Sequence, residues 1–208
     1  MKYIFVAGAP GSKWSSVVKN IYYSSAIDRS DYSTARTYYH DASGQMDLMH
    51  LGAYWDPGME FGKFFHRLKE YNHYQCETEF DAPFAPGATG IRIIKSHEFA
   101  NNIDYIKETW PDCPIVLVHR NNDSCLGWWV KCGHFDISYP SYAEHYKNLR
   151  EMSFIIQKQN ANIVEASLRY PGKTPLTNHM LCDMLNIPLP PLDYYQDYGK
   201  ADVRVTVI

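Results

Sequence analysis

Lys2-Tyr-Ile-Phe-Val-Ala-Gly-Ala-Pro-Gly-Ser-Lys-Trp-Ser-Ser16 decides how this chain is read. Tyr3 to Ala7 is a short β-prone apolar run closed by Gly8, and from Trp14 onward Val17, Val18, Ile21 and Tyr22 recur at helical spacing. The order is therefore buried strand, glycine turn, helix. Gly8 and Gly11 let the backbone bend and approach a ligand with no Cβ in the way. The N–H groups freed there, with the positive end of the following helix, face an anion. Lys13 adds a formal charge, and Ser12, Ser15 and Ser16 add hydroxyls. The spacing departs from G-x-x-x-x-G-K-[ST], because Lys13 lies five residues after Gly8 and is followed by Trp14. A Mg²⁺-binding hydroxyl directly after the lysine is missing. The competing reading is a plain strand-to-helix turn with an exposed lysine.

The rest of the composition narrows the class. The length of 208 residues predicts one domain, 1–208, with room for a substantial core. A formal charge of -3 gives no general attraction to nucleic acid or to an anionic membrane, so an anion site has to be local. Five cysteines, without a C-x-x-C pair, read as reduced and partly buried thiols. The opening apolar run is too short for a signal peptide and no stretch approaches 18 apolar residues, so the expectation is a soluble, cytoplasmic protein. Seventeen tyrosines, nine phenylalanines and five tryptophans can line a ligand pocket as well as a core.

Taken outward from the loop, residues 27 to 57 read as long irregular excursions over one end of a sheet. Within them Asp47 to Gly62, with His50, Tyr54 and Trp55, fits either a substrate-facing wall or a turn packed on itself. Met59 to Tyr71 shows helical spacing, and residues 80 to 90 read as a loop. Ile91 to His97 begins as a strand and ends in polar chemistry, with Lys95 and His97 on one side of it. A helix through Ile103, Ile106 and Trp110 follows, then a strand from Pro114 to His119 buried on both faces, with Arg120 at its exit. Helices are expected from Asp123 to Cys132, Tyr142 to Asn160 and Thr177 to Leu185, and strands at Asn162 to Leu168 and Val203 to Ile208. Strands alternating with helices give an α/β fold, a doubly wound, mostly parallel sheet flanked by helices. Its ligand-binding edge receives the loop, Lys95 with His97, and Arg120.

At these residues the chain resembles the 3′-phosphoadenosine 5′-phosphosulfate-dependent sulfotransferases, whose fold is P-loop NTPase-like. Gly8-Ala-Pro-Gly-Ser-Lys-Trp-Ser15 is similar to that family's 5′-phosphosulfate loop, written Pro-x-Ser-Gly-Thr-Thr. Lys95-Ser-His97 is similar to its Lys-Thr-His motif, and His119-Arg-Asn-Asn-Asp-Ser-Cys-Leu-Gly-Trp-Trp129 to its 3′-phosphate element. Met180 to Pro188 resembles its last helix. The family's loop cation falls at Gly11 here, and the Arg-Asn element lacks its proline.

The resemblance implies a sulfuryl donor, 3′-phosphoadenosine 5′-phosphosulfate, bound by Gly8, Pro10, Gly11, Ser12, Lys13, Trp14, Ser15, Arg120 and Ser124, with no metal. It implies His97 as general base for the acceptor, Lys13 on the leaving oxygen, Lys95 on the sulfonate and Arg120 on the 3′-phosphate. The acceptor is a small molecule, sugar or peptide offering a hydroxyl or amine, with no nucleic acid or membrane partner. Two other readings remain: a small P-loop nucleotide kinase, and a non-catalytic nucleotide-binding protein on the same fold.

Overall fold

A computed structural model describes residues 1–31, 51–55, 65–131, 147–191 and 202–208. The first apolar run forms β1 (Tyr3–Gly8), buried along its whole length, and Trp14–Tyr22 forms α1. β1 lies at the centre of a five-stranded sheet, between β3 (Arg92–Ser96) and β4 (Ile115–Arg120), both parallel to it. Phe5 sits level with Ile94 on one side and Ile115 on the other. A two-residue strand, β2 (Ala53–Tyr54), extends the parallel sheet beyond β3, and β5 (Val203–Val207) closes the other edge antiparallel to β4. The expected mostly parallel α/β sheet is present. Val203 to Val207 is the edge strand expected there.

Between β2 and β3 lie a 3-10 stretch (Phe65–Glu70) and α2 (His73–Asp81). α2 begins with a capping box in which Asn72 and Gln75 each accept the other's backbone N–H. α3 (Ile103–Thr109) follows β3, α4 (Asn122–Lys131) follows β4, and α5 (Leu149–Arg169) and α6 (Asn178–Met184) complete the described helices. The link from β3 through α3 to β4 passes over β1, so the strand order turns around at β1, where an open sheet forms its crevice. Alternation sends Tyr3 and Phe5 to one face, where Phe5 meets Phe80 of α2, Phe99 and Trp110 edge-on or tilted.

Two expectations are corrected. Asn162 to Leu168 is no strand but the second half of α5. Ile163 and Ala166 continue the buried line of Met152, Ile156 and Gln159, and Glu165 pairs with Arg169 one turn on. The described part of Met59 to Tyr71 is a 3-10 stretch with a non-helical Arg67 inside it. Cys76, Cys113, Cys125 and Cys182 are buried free thiols, while Cys132 lies outside the described residues, as do Tyr142 to Tyr146 and His50. Among the described residues no helix is long and apolar enough to cross a membrane.

Candidate functional site

The loop between β1 and α1 turns on two left-handed residues. Gly11 has φ 80, and a Cβ there would lie 2.2 Å from the Cys125 carbonyl oxygen, so α4 approaches the loop at a distance that only glycine permits. Lys13, the residue that caps α1, has φ 64 and ψ 24. The left-handed bend is made here by a lysine, a conformation that costs about 1 kcal/mol or more for a residue bearing a Cβ. No side chain caps α1, and in its first turn the Ser16 N–H bonds back to the Lys13 carbonyl at 3.0 Å.

Two neighbouring strands grip this loop by its carbonyls. From the end of β3, His97 Nδ1 donates to the Gly8 carbonyl at 2.5 Å. From the end of β4, Arg120 Nη1 donates to the Gly11 carbonyl at 3.0 Å. Ser12 N–H closes the turn on the Ala9 carbonyl at 3.0 Å. The Gly8, Ala9 and Gly11 carbonyls are thus all held by donors of the protein, which fixes the backbone of the loop. Two buried donors here have no hydrogen-bond partner among the described residues, Ser12 Oγ and Arg120 Nε. An unmade bond of this kind is costly unless a ligand completes it.

The electrostatics agree. Lys13 is held below the usual lysine range, first by burial and then by the like charges of Arg120 and Lys131. Its ammonium rests 5.3 Å above the Trp128 ring, and that of Lys131 lies 5.7 Å from the same ring. Cations that weaken one another's protonation mark a place where a negative group is favoured. The end of β4 is fixed from behind by Asn160 of α5, which donates to the Arg120 carbonyl at 2.8 Å and to Asn122 Oδ1 at 2.7 Å. Nothing in the local sequence around Asn160 marks that role; only the packing of α5 on α4 and β4 creates it.

The other expected site residues fall into distinct places. His97 and Lys95 are fully enclosed, 3% and 0% exposed, and both adjoin Tyr54. Because a carbonyl only accepts, His97 carries its proton on Nδ1, and Nε2 accepts from the Tyr54 hydroxyl at 3.0 Å. Trp14 stacks on the imidazole, with centroids 4.0 Å apart and planes 10° from parallel, so its ring is buried in the protein. Burial, with a smaller contribution from Lys95, brings the His97 pKa down to about 3. Ser15 follows in the first turn of α1, Pro10 is buried, and Ser124 Oγ donates to Asp202 Oδ2 at 3.3 Å. His119, on the opposite side of β4 from Arg120, is only half buried.

A pH prediction follows from the His97 setting. The folded state disfavours a proton that the unfolded chain takes up below its ordinary value of 6.5. Stability is therefore lost as pH falls from that value toward 3. Wild type should lose about 2 kcal/mol more than His97→Gln in denaturant melts between about pH 7 and pH 5. Equal losses would remove the buried neutral imidazole from the description. Asp202 is a site residue that sequence reading does not single out, and Tyr54 stands out there only as one aromatic of the Asp47 to Gly62 segment, with no link to His97. β2 is too short to show a pattern, and Asp202 reaches Ser124 only through the antiparallel return of β5. Compared with family models, curated proteins and solved structures, the chain gives no significant match.

Proposed function

We propose that the chain binds 3′-phosphoadenosine 5′-phosphosulfate and transfers its sulfuryl group to a hydroxyl or amine. The observation that carries this reading is the loop of residues 8–16, held by its carbonyls from both β3 and β4, with the cations of Lys13 and Arg120 near one another beside it and the Ser12 hydroxyl buried in the same turn with no partner among the described residues. Its place at the turnaround of a parallel sheet, on a P-loop-like strand-loop-helix, supports the same conclusion. The acceptor oxygen or nitrogen attacks sulfur, the bond from sulfur to the 5′-phosphate oxygen breaks, and Lys13 and the loop N–H groups stabilise the charge left there. The acceptor proton goes to His97 Nε2, a step that requires the acceptor to displace the Tyr54 hydroxyl and the charge brought by the donor to offset the burial that holds the imidazole pKa at about 3. Lys95, in the same enclosed group, steadies the sulfonate. A sulfuryl group carries less charge than a γ-phosphoryl, so the reaction can run on positioning and fixed charge without a metal.

A second reading, nucleotide binding without turnover, is favoured by the same two contacts that the mechanism must displace, Tyr54 on His97 and Asp202 on Ser124. Calorimetric titration with the desulfated nucleotide, beside ATP plus Mg²⁺, separates these from a kinase. The transferase reading expects the bisphosphate nucleotide to bind at least about tenfold more tightly than ATP, and radiolabelled sulfate to move onto a phenol, sugar or tyrosine-peptide acceptor. Tighter binding of ATP would overturn it. Tight bisphosphate binding without transfer to any acceptor class would leave the binding protein.

A further inference from the structure

α5 is amphipathic in the usual sense on one side only. Its core line is Met152, Ile156, Ile163 and Ala166, yet the line diametrically opposite is also apolar. Phe154, Ala161 and Leu168 are spaced seven residues apart, so they drift by only about 20° per step and form one straight seam. The seam is the part of the helix farthest from the sheet. Phe154 is 64% exposed and Leu168 is 82% exposed, with Val164 at 41% beside them. A soluble helix normally carries charge there, so such a line marks a contact surface.

The flank of the seam identifies the occupant. Lys158 and Glu165 lie on the same side of it, both exposed, with Glu165 also paired to Arg169 of its own helix. If a second copy of α5 is laid antiparallel across a two-fold axis at Ala161, Phe154 of one copy meets Leu168 of the other. The same operation brings Lys158 of each copy opposite Glu165 of its mate, on the flank that antiparallel helices share. The pairing is self-complementary in shape and in charge, as an isologous contact has to be. The small Ala161 at the axis lets the two backbones come close. A parallel pairing would stack Phe154 on Phe154 and leave Lys158 and Glu165 without opposite charges across the seam.

We infer that the chain forms a two-fold homodimer in which the outer seams of two α5 helices pair antiparallel about Ala161, with two Lys158–Glu165 ion pairs between copies. The contact spans about 21 Å of helix, small for a permanent dimer, so association is reversible and concentration-dependent. The inference is independent of the proposed reaction, since α5 meets the site on its buried face, through Asn160 and through Met152 and Ile156 packed with Ala9 and Cys125, while the seam lies on the opposite face.

Sedimentation velocity over a concentration series tests it on the full chain. Wild type is expected to shift from monomer to dimer in the micromolar range. Leu168→Glu, and separately Phe154→Ser, should remain monomeric with unchanged circular dichroism, because neither side chain belongs to the core. Lys158→Glu and Glu165→Lys alone should each raise the dimer dissociation constant by about tenfold, and the double reversal should restore it. A wild-type monomer at every concentration overturns the proposal and leaves the seam to another protein or to another segment of this chain. A dimer indifferent to Leu168→Glu, or a double reversal that fails to recover association, overturns it as well.

Discussion

Gly11→Ala is expected to destabilise the chain by about 3 kcal/mol or more and to abolish nucleotide binding. Two costs coincide at this position. The φ of +80 is left-handed, and the added methyl would meet the Cys125 oxygen, carbon and Cα at 2.2, 2.8 and 2.9 Å, all backbone atoms that cannot turn aside. α4 would have to retreat from the loop, taking with it the Gly11 carbonyl's partner at the end of β4. Gly87→Ala isolates the conformational part, because Gly87 has φ +77 but nothing within 4 Å of its would-be Cβ. That control should cost about 1 kcal/mol. Urea melts of the two variants beside wild type decide the matter. Similar losses would mean that α4 does not constrain the loop.

Arg120→Ala carries the second large effect, on affinity. The guanidinium holds the Gly11 carbonyl with one nitrogen, keeps Nε without a partner among the described residues, and weakens the protonation of Lys13. On the proposed reading Arg120 meets a phosphate, and losing that charge-assisted contact together with the loop's brace should raise the dissociation constant of the desulfated nucleotide about a hundredfold in calorimetric titration. Arg120→Lys should recover little, since an ammonium cannot serve the carbonyl and an anion with the fixed fork of a guanidinium. Asp202→Asn should move the constant the other way. Its carboxylate takes the Ser124 hydroxyl and places negative charge where the resemblance puts the 3′-phosphate. An unaltered constant in Arg120→Ala would assign the guanidinium to the fold alone.

The contrast between what the sequence discloses and what it hides follows from the range of the forces involved. β1 and β4 are legible because strands enclosed on both sides are apolar in long runs, as Ile115 to Val118 is, while β3 shows itself through the β-prone Ile93 and Ile94 alone. The loop is legible because glycine, proline and lysine act locally on the backbone. β2 is not legible, since Ala53 and Tyr54 become a strand only by pairing with Ile94 and Lys95 far along the chain. α2 shows little periodicity, although Asn72-His-Tyr-Gln75 carries its start signal in plain view. The second half of α5 misleads for a local reason. Asn-Ile-Val at residues 162–164 is β-prone taken alone, while the helical line from Met152 to Ala166 needs the whole span to be visible.

The site divides along the same boundary. Lys13, Lys95, His97 and Arg120 can be chosen by residue type and by their positions at strand ends. Which atoms they touch is a tertiary outcome. The sequence places His97 among reactive groups, and the fold puts a tyrosine on one ring nitrogen, a carbonyl on the other and an indole across its face.

The backbone handedness of Lys13 sets an electrical demand and a conformational one against each other at a single codon. Of residues 8–16 it is the only cation, and it stands where glycine would relax the turn. Selection for heat tolerance and selection for holding an anion would therefore pull this position apart, the first toward glycine or asparagine and the second toward keeping the charge.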